Sequence, residues 1–170
     1  EMLVELNLLN HQNEFIQDPL FCVGLTETFK ELTKGYKPEE HLELLFESLC
    51  KSSKFESIKI KEISNKTIEN YKKKSLKEIS NLLKEQSNSN LYSSRILNLG
   101  IYFIISNAND SEKIKDPEKN KFISDIVNSL NLSLNKAEKD IGIYESSIKK
   151  LEQAKELLKE AKIKQKKLSK

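Results

Sequence analysis

Few residues in this chain have the type and spacing to do chemistry. His11 and His41 are its two histidines. Neither is followed four positions later by a second ligand, so the His-Glu-x-x-His zinc arrangement is absent. Glu39, Glu40 and Glu43 surround His41, but that is the spacing of a helix start, where carboxylates meet the positive end of the helix dipole. Cys22 and Cys50 stand 28 positions apart with no second pair, which fits neither a disulfide framework nor a zinc site and predicts reduced, buried thiols. There is no glycine-rich phosphate loop, no serine nucleophile elbow and no suggestive Cys/His pair. The residues therefore predict no catalytic group, metal or cofactor, and a chain that is not an enzyme.

What remains is charge. The 29 basic and 26 acidic residues leave a net charge of +3, a dense but nearly balanced surface. Lysines concentrate in Lys72-Lys73-Lys74 and towards the C-terminus, where nine Lys face four Glu between Glu145 and Lys170, a side-chain charge of +5. Such lysines can meet phosphates of lipid headgroups or nucleic acid. No aromatic stacking platform accompanies them, which disfavours nucleic acid. A solvated charged face is the plain reading, and a membrane surface comes next.

The elements that carry these residues read as helices. Four Gly and three Pro in 170 residues leave too little turn punctuation for sandwiches, barrels or dinucleotide folds. No apolar run approaches the roughly 20 residues that span a bilayer, so the chain reads as soluble, and its start inside an amphipathic pattern predicts a mature or trimmed fragment. Leu3, Leu6, Leu9 and Ile16 form a first apolar stripe. Asp18-Pro19 supplies a cap and a first-turn proline for a helix that runs to Lys34-Gly35. Pro38-Glu39-Glu40 opens a third helix through Cys50. From Ile58 to Leu83 the period stays helical but the lysine triplet interrupts it, giving two helices or one kinked one. Ser87 to Asn90 predicts a loop or cap, followed by the most apolar helix, from about Leu91, in which Gly100 permits close packing. A mobile loop is expected over 107–120 and a short helix from about Glu118 to Asn131. After Ser133, Ala137, Ile141, Tyr144, Ile148, Leu151, Leu158 and Leu168 recur at helical intervals in one long helix. At 1.5 Å per residue such a helix of about 35 residues is roughly 50 Å long, so its second half should project.

Several segments, in order, resemble the thylakoid formation protein family of cyanobacteria and chloroplasts, also described as photosystem II biogenesis factors. They are Glu1-Met2-Leu3-Val4-Glu5-Leu6, the stretch from Asp18-Pro19-Leu20 to Phe29, Gly35-Tyr36-Lys37-Pro38-Glu39-Glu40, the stretch from Leu45 to Cys50, Tyr92-Ser93-Ser94-Arg95 with Leu99-Gly100-Ile101-Tyr102, and the stretch from Glu138 through Asp140 to Tyr144. Together they cover most of the chain, and the combination is specific. The Lys/Asn-rich stretches 51–86 and 107–120 depart from the pattern. Heavy use of Lys, Asn and Ile is what AT-rich codons encode, so the resemblance suggests a divergent plastid member.

The resemblance implies an all-α fold, a compact multi-helix bundle over residues 1–150, with a long coiled-coil-like helix over 133–170 whose second half leaves the bundle. It implies a non-enzymatic biogenesis factor at a plastid membrane, on the stromal or thylakoid surface of a chloroplast or in a non-photosynthetic plastid such as an apicoplast. It also implies an FtsH-type membrane AAA protease as partner, supported by the factor. The partner-binding candidates are Ile148, Leu151, Leu158 and Leu168, whose stripe lies beyond the expected core. The alternatives are a peripheral membrane or nucleic-acid binder acting through the Lys-rich face, and self-association as a structural homodimer through the same helix. Asp18, Pro19, Gly35, Tyr36, Pro38, Tyr92, Arg95, Gly100, Asp140 and Tyr144 are the family-motif positions, expected to shape the fold. Arg95, placed in the most apolar helix, needs a carboxylate, and Asp18, Glu27 and Asp140 are the candidates.

Overall fold

The computed structural model describes residues 2–12, 15, 17–85 and 91–168, with side chains described as far as 161. Eight α-helices follow one another among the described residues: α1 (Met2–Asn10), α2 (Pro19–Thr33), α3 (His41–Ser52), α4 (Ser57–Lys72), α5 (Leu76–Glu85), α6 (Arg95–Ser106), α7 (Asp116–Ser129) and α8 (Leu134–Leu168). A single 3-10 turn, Ser111–Lys113, precedes α7. The all-α expectation holds.

α6 is the centre of the bundle. Its mean composition is the most apolar of any helix, and Ile96, Leu97, Leu99, Ile101, Phe103, Ile104 and Ile105 are all buried. α2 crosses it at close range and also packs on α4, while α7 and α8 lie against its other sides. The close crossing is made by two glycines. A Cβ at Gly24 would stand 1.8 Å from the carbonyl oxygen of Ile96, and one at Gly100 would stand 1.9 Å from that of Leu20. Only a residue without a side chain lets the two backbones meet.

Local chemistry places the helix ends. Asp18 Oδ1 accepts from the amides of Leu20 (2.8 Å) and Phe21 (3.1 Å), with Pro19 in the first turn. Gly35 has φ +81° and turns the chain after α2. The lysine triplet separates two helices: α4 ends at Lys72, and Ser75 and Glu78 form a reciprocal capping box at the start of α5, with Ser75 N donating to Glu78 Oε2 at 2.8 Å and Glu78 N donating to Ser75 Oγ at 3.4 Å.

Three expected boundaries and one expected loop are corrected. α3 begins at His41, because residues 38–40 are spent in a turn in which His41 N donates to the Pro38 carbonyl and Leu42 N to that of Glu39. α6 begins at Arg95 and not near Leu91, because Ser94, in extended conformation, caps it by accepting from Leu97 N at 3.1 Å. α7 begins at Asp116. The segment expected to be mobile before it is anchored: Asp110 Oδ1 accepts from Leu76 N at 2.9 Å, Asn109 N donates to the Lys74 carbonyl at 3.0 Å, and Ser111 Oγ donates to the Ser106 carbonyl at 2.8 Å. A sequence rich in Asn, Asp and Ser is therefore used here to satisfy a neighbouring helix end. The expectations for Ile16 and for Ser87 to Asn90 lie outside the described residues.

Candidate partner-binding surface

Arg95 opens α6, and the first turns of α1 and the proximal part of α8 converge on it. Its Nε lies 3.6 Å from Asp140 Oδ1 and 4.0 Å from Glu5 Oε2. Asp140 also accepts from Asn98 Nδ2 at 2.9 Å, and Glu5 Oε1 accepts from the Ile96 amide at 3.3 Å. Burial pushes the Glu5 carboxyl above its ordinary range, against the lowering pull of the Ile96 amide and of Arg95. Of the three carboxylates expected for Arg95, Asp140 is the one it meets. Asp18 is held at the cap of α2, and Glu27 pairs with Lys30 at 2.6 Å. Glu5 was missed, although its position was a signal: it shares the inward face of α1 with Met2, Leu6 and Leu9, and a carboxylate on an apolar face requires a cation.

This cluster floors a cleft of about 640 Å³. Val4, Leu8 and Leu9 of α1 form an apolar wall, and Tyr92 and Lys136 stand opposite. Lys136 Nζ donates to the Ser93 carbonyl at 3.1 Å, which ties α8 to the turn before α6. Tyr92 is half-buried, edge-on to Phe15 at 6.2 Å. Tyr144 is buried edge-on to Tyr102 (5.7 Å) and Phe103 (5.4 Å), and burial raises its hydroxyl above the ordinary range. Tyr36 is exposed beside Gly35, and Pro38 follows a cis peptide bond.

The thiols are free and buried, as expected. Burial, with the charge of Asp18 nearby, pushes Cys22 up to about 12, and burial pushes Cys50 up to about 11. His11 Nδ1 lies 2.7 Å from the Asn7 carbonyl. Among the described residues no cluster of three His, Cys, Asp or Glu side chains has metal-binding geometry, and no helix is long and apolar enough to cross a membrane.

α8 is 35 residues long, about 52 Å at 1.5 Å per residue. Ile141 and Tyr144 are buried, Ile148 packs on the core from a half-buried position, and Leu151 is half-buried. The last body contact among the described side chains is Lys155, whose Nζ donates to the carbonyl of Lys34 at the end of α2. Beyond it Leu157 and Leu158 are 67% and 61% exposed. The four partner-binding candidates therefore differ in setting: Ile148 leans on the bundle, Leu151 is half-buried, Leu158 faces solvent, and the side chain of Leu168 lies outside the described residues. Leu157, which the heptad reading passed over, is as open as Leu158.

Comparison with known proteins places this geometry among relatives. A family model described as thylakoid formation protein matches residues 1–170. Protein Thf1 of Prochlorococcus marinus subsp. pastoris (strain CCMP1986 / NIES-2087 / MED4) is 81% identical over 98% of this chain and 83% of its own length. Protein Thf1 of Prochlorococcus marinus strain MIT 9312 is 69% identical over the same shares. The solved structure of Psb29 superposes with a TM-score of 0.81 at 25% identity, covering 97% of this chain and 83% of that one. The two Thf1 relatives are cyanobacterial, so the Lys-, Asn- and Ile-rich composition does not require a plastid genome.

Proposed function

This chain belongs to the thylakoid formation protein family, and we infer that it serves thylakoid formation and photosystem II biogenesis as a docking factor whose distal α8 holds an FtsH-type membrane AAA protease. The observation that carries this reading is the pair Leu157 and Leu158, open to solvent on a helix that has passed its last body contact at Lys155. Two large apolar side chains about 100° apart on the helix stay exposed at a cost unless a partner covers them. The arm is thus taken to begin beyond Lys155, with Ile148 and Leu151 setting its angle and Leu158 making contact. The work is done at a thylakoid surface, in a cyanobacterial cell or in a plastid.

The test is affinity purification of the tagged chain from thylakoid-bearing cells after mild crosslinking, beside a chain ending at Lys155 and a Leu157→Glu/Leu158→Glu variant. Recovery of an FtsH-type protease with the intact chain and its loss from both variants, with unchanged circular dichroism, is the expected result. Equal recovery from all three defeats the assignment. The lysines of the arm favour one second reading, a membrane-surface contact, and ionic strength separates the two. Phosphate contacts made by lysines weaken steeply with salt, whereas an apolar docking changes little.

A further inference from the structure

Thr26, Phe29 and Thr33 follow one another on α2 at intervals of three and four and so share one side of the helix. Together with Tyr36 of the next turn and Leu42 and Phe46 of α3 they line a pocket of about 290 Å³. Its walls are aromatic. Phe29 and Phe46 meet edge-on with ring centroids 5.0 Å apart, and Tyr36, 42% exposed, stands at the open side. Thr26 is only 2% exposed, and its Oγ1 has no hydrogen-bond partner among the described residues. A threonine inside a helix commonly turns its hydroxyl back to the carbonyl four positions earlier. Thr33 does so to Phe29 at 2.7 Å and Thr67 does so to Ile63 at 2.6 Å, but Thr26 does not. A buried hydroxyl left in this state costs stability until something pairs with it.

The charged residues around the pocket cancel in pairs. Lys30 meets Glu27 at 2.6 Å and Lys34 meets Glu31 at 3.7 Å, while Lys61 is paired with Glu43 and Glu39 with Lys37. No charge of one sign is left over to draw in an ion, so the rim selects an uncharged ligand. Volume sets its size: an apolar cavity of roughly 150 Å³ is enough for benzene, and this pocket holds one or two fused rings. We propose that it binds an uncharged aromatic molecule of one or two rings carrying an N–H or O–H group, an indole or a phenol, with the ring edge-on to Phe29, Phe46 and Tyr36 and the polar hydrogen given to Thr26 Oγ1. An aliphatic guest would bury similar area but forgo the ring contacts. A plain hydrocarbon ring would leave the Thr26 hydroxyl unpaired. The inference goes beyond the docking reading of α8 and stands apart from it.

The chain contains no Trp, so the emission of an indole probe excited beyond the tyrosine band reports the probe alone. Indole is titrated with the full chain, and a saturable blue shift with a Kd of about 0.1–1 mM is expected for a ligand this small. Indene, the same ring frame without an N–H, should displace indole only at a several-fold higher concentration. Thr26→Val keeps the shape and removes the hydroxyl. It should abolish the preference for indole over indene and raise the Tm of the unliganded chain, because the unpaired hydroxyl is gone. Tyr36→Ala should weaken both probes by about two- to tenfold, the worth of one aromatic contact, with unchanged circular dichroism. Thr28 Oγ1 is also buried without a partner among the described residues but lies in a separate concavity. Thr28→Val should therefore raise Tm likewise and leave indole binding as it was. Absence of saturable binding, equal affinity of the parent chain for indole and indene, a Thr26→Val variant that keeps the preference, or tighter binding of the charged analogues indole-3-propionate or tryptamine each overturns the proposal. N-acetyltryptophanamide identifies the source of the ring: binding tighter than indole supports the pocket as the seat of a protein side chain, and binding weaker than indole supports it as the seat of a free small molecule.

Discussion

Replacing Gly100 by alanine tests whether the α2/α6 crossing governs the bundle, because two effects of opposite sign compete at that residue. Alanine in a helix interior is favoured over glycine by about 1 kcal/mol. Against this, the new methyl would stand 1.9 Å from the Leu20 carbonyl oxygen and 2.7 Å from its carbon. A carbon–oxygen contact relaxes near 3.3 Å, so the helices must part by about 1.4 Å. Neither side can rotate away, since the obstacle is backbone. A gap of 0.5–1 Å already forfeits a quarter to a half of each dispersion contact, and overpacking of ordinary cores costs about 1–3 kcal/mol. A backbone clash at the central helix pair belongs at or above the top of that range, so a net loss of about 3 kcal/mol is expected after the propensity gain. In a chain of this length that lowers Tm by roughly 6–12 °C. The assay is thermal and urea unfolding of the full chain followed at 222 nm, with Gly142→Ala as the internal control. Gly142 is exposed on α8 and a Cβ there meets nothing within 4 Å, so this variant should gain about 0.5–1 kcal/mol. A Gly100→Ala variant as stable as the parent, or two variants moving in the same direction, would refute the crossing argument.

Other perturbations have equally definite signs. Asp140→Ala removes the acceptor of Asn98 and the nearer carboxylate of Arg95. A loss of about 2–3 kcal/mol is expected in urea titrations, kept below the fully buried range because Arg95 is 37% exposed. Glu5 has a folded-state pKa raised by burial from 4.5, so the stability it contributes is full at lower pH and is lost as pH rises from there through the folded value. Glu5→Gln removes that titration, and its stability relative to the parent should improve as pH rises across this window; a constant difference in pH-dependent urea midpoints would contradict the burial of Glu5. Lys54 has φ +59° with an exposed side chain, so Lys54→Gly should raise stability by about 0.5–1 kcal/mol. Cys22 and Cys50, buried and with pKa values near 12 and 11, should not react with a thiol-specific disulfide reagent at pH 8 until denaturant is added; rapid labelling of the native chain would contradict their burial.

The order of helices was legible because each boundary of the first half carries its own chemistry. Asp18-Pro19 caps and starts α2, Gly35 turns the chain after it, and the lysine triplet marks the break before α5. The long apolar run of α6 identified the core. What failed to read was chemistry that acts at a distance along the chain. Asp110 serves the N-terminus of α5, 34 positions earlier, so a polar segment that looks free is tied. Glu5 serves Arg95, 90 positions later, and was not among the carboxylates expected for it. Gly24 is as necessary to the crossing as Gly100, yet one glycine in a helical stretch announces nothing until its counterpart across the interface is known.

The surface of α8 was legible in its period. A single seam of three- and four-residue intervals from Ala137 to Leu168 predicts one apolar face, buried first by the bundle and then open. In the folded chain Ile141 and Tyr144 are buried, Ile148 packs on the core, Leu151 is half-buried, and Lys155 places its ammonium group on the Lys34 carbonyl. A lysine at that seam position satisfies an orphan carbonyl at the end of α2. Leu158 continues the seam seven positions after Leu151 and is open, whereas Ile143 and Leu157 lie outside the seam. A partner docked on distal α8, as proposed, loses its hold on a Leu158→Glu variant and keeps it on Ile143→Glu; equal loss from both would show that the body takes part in the binding.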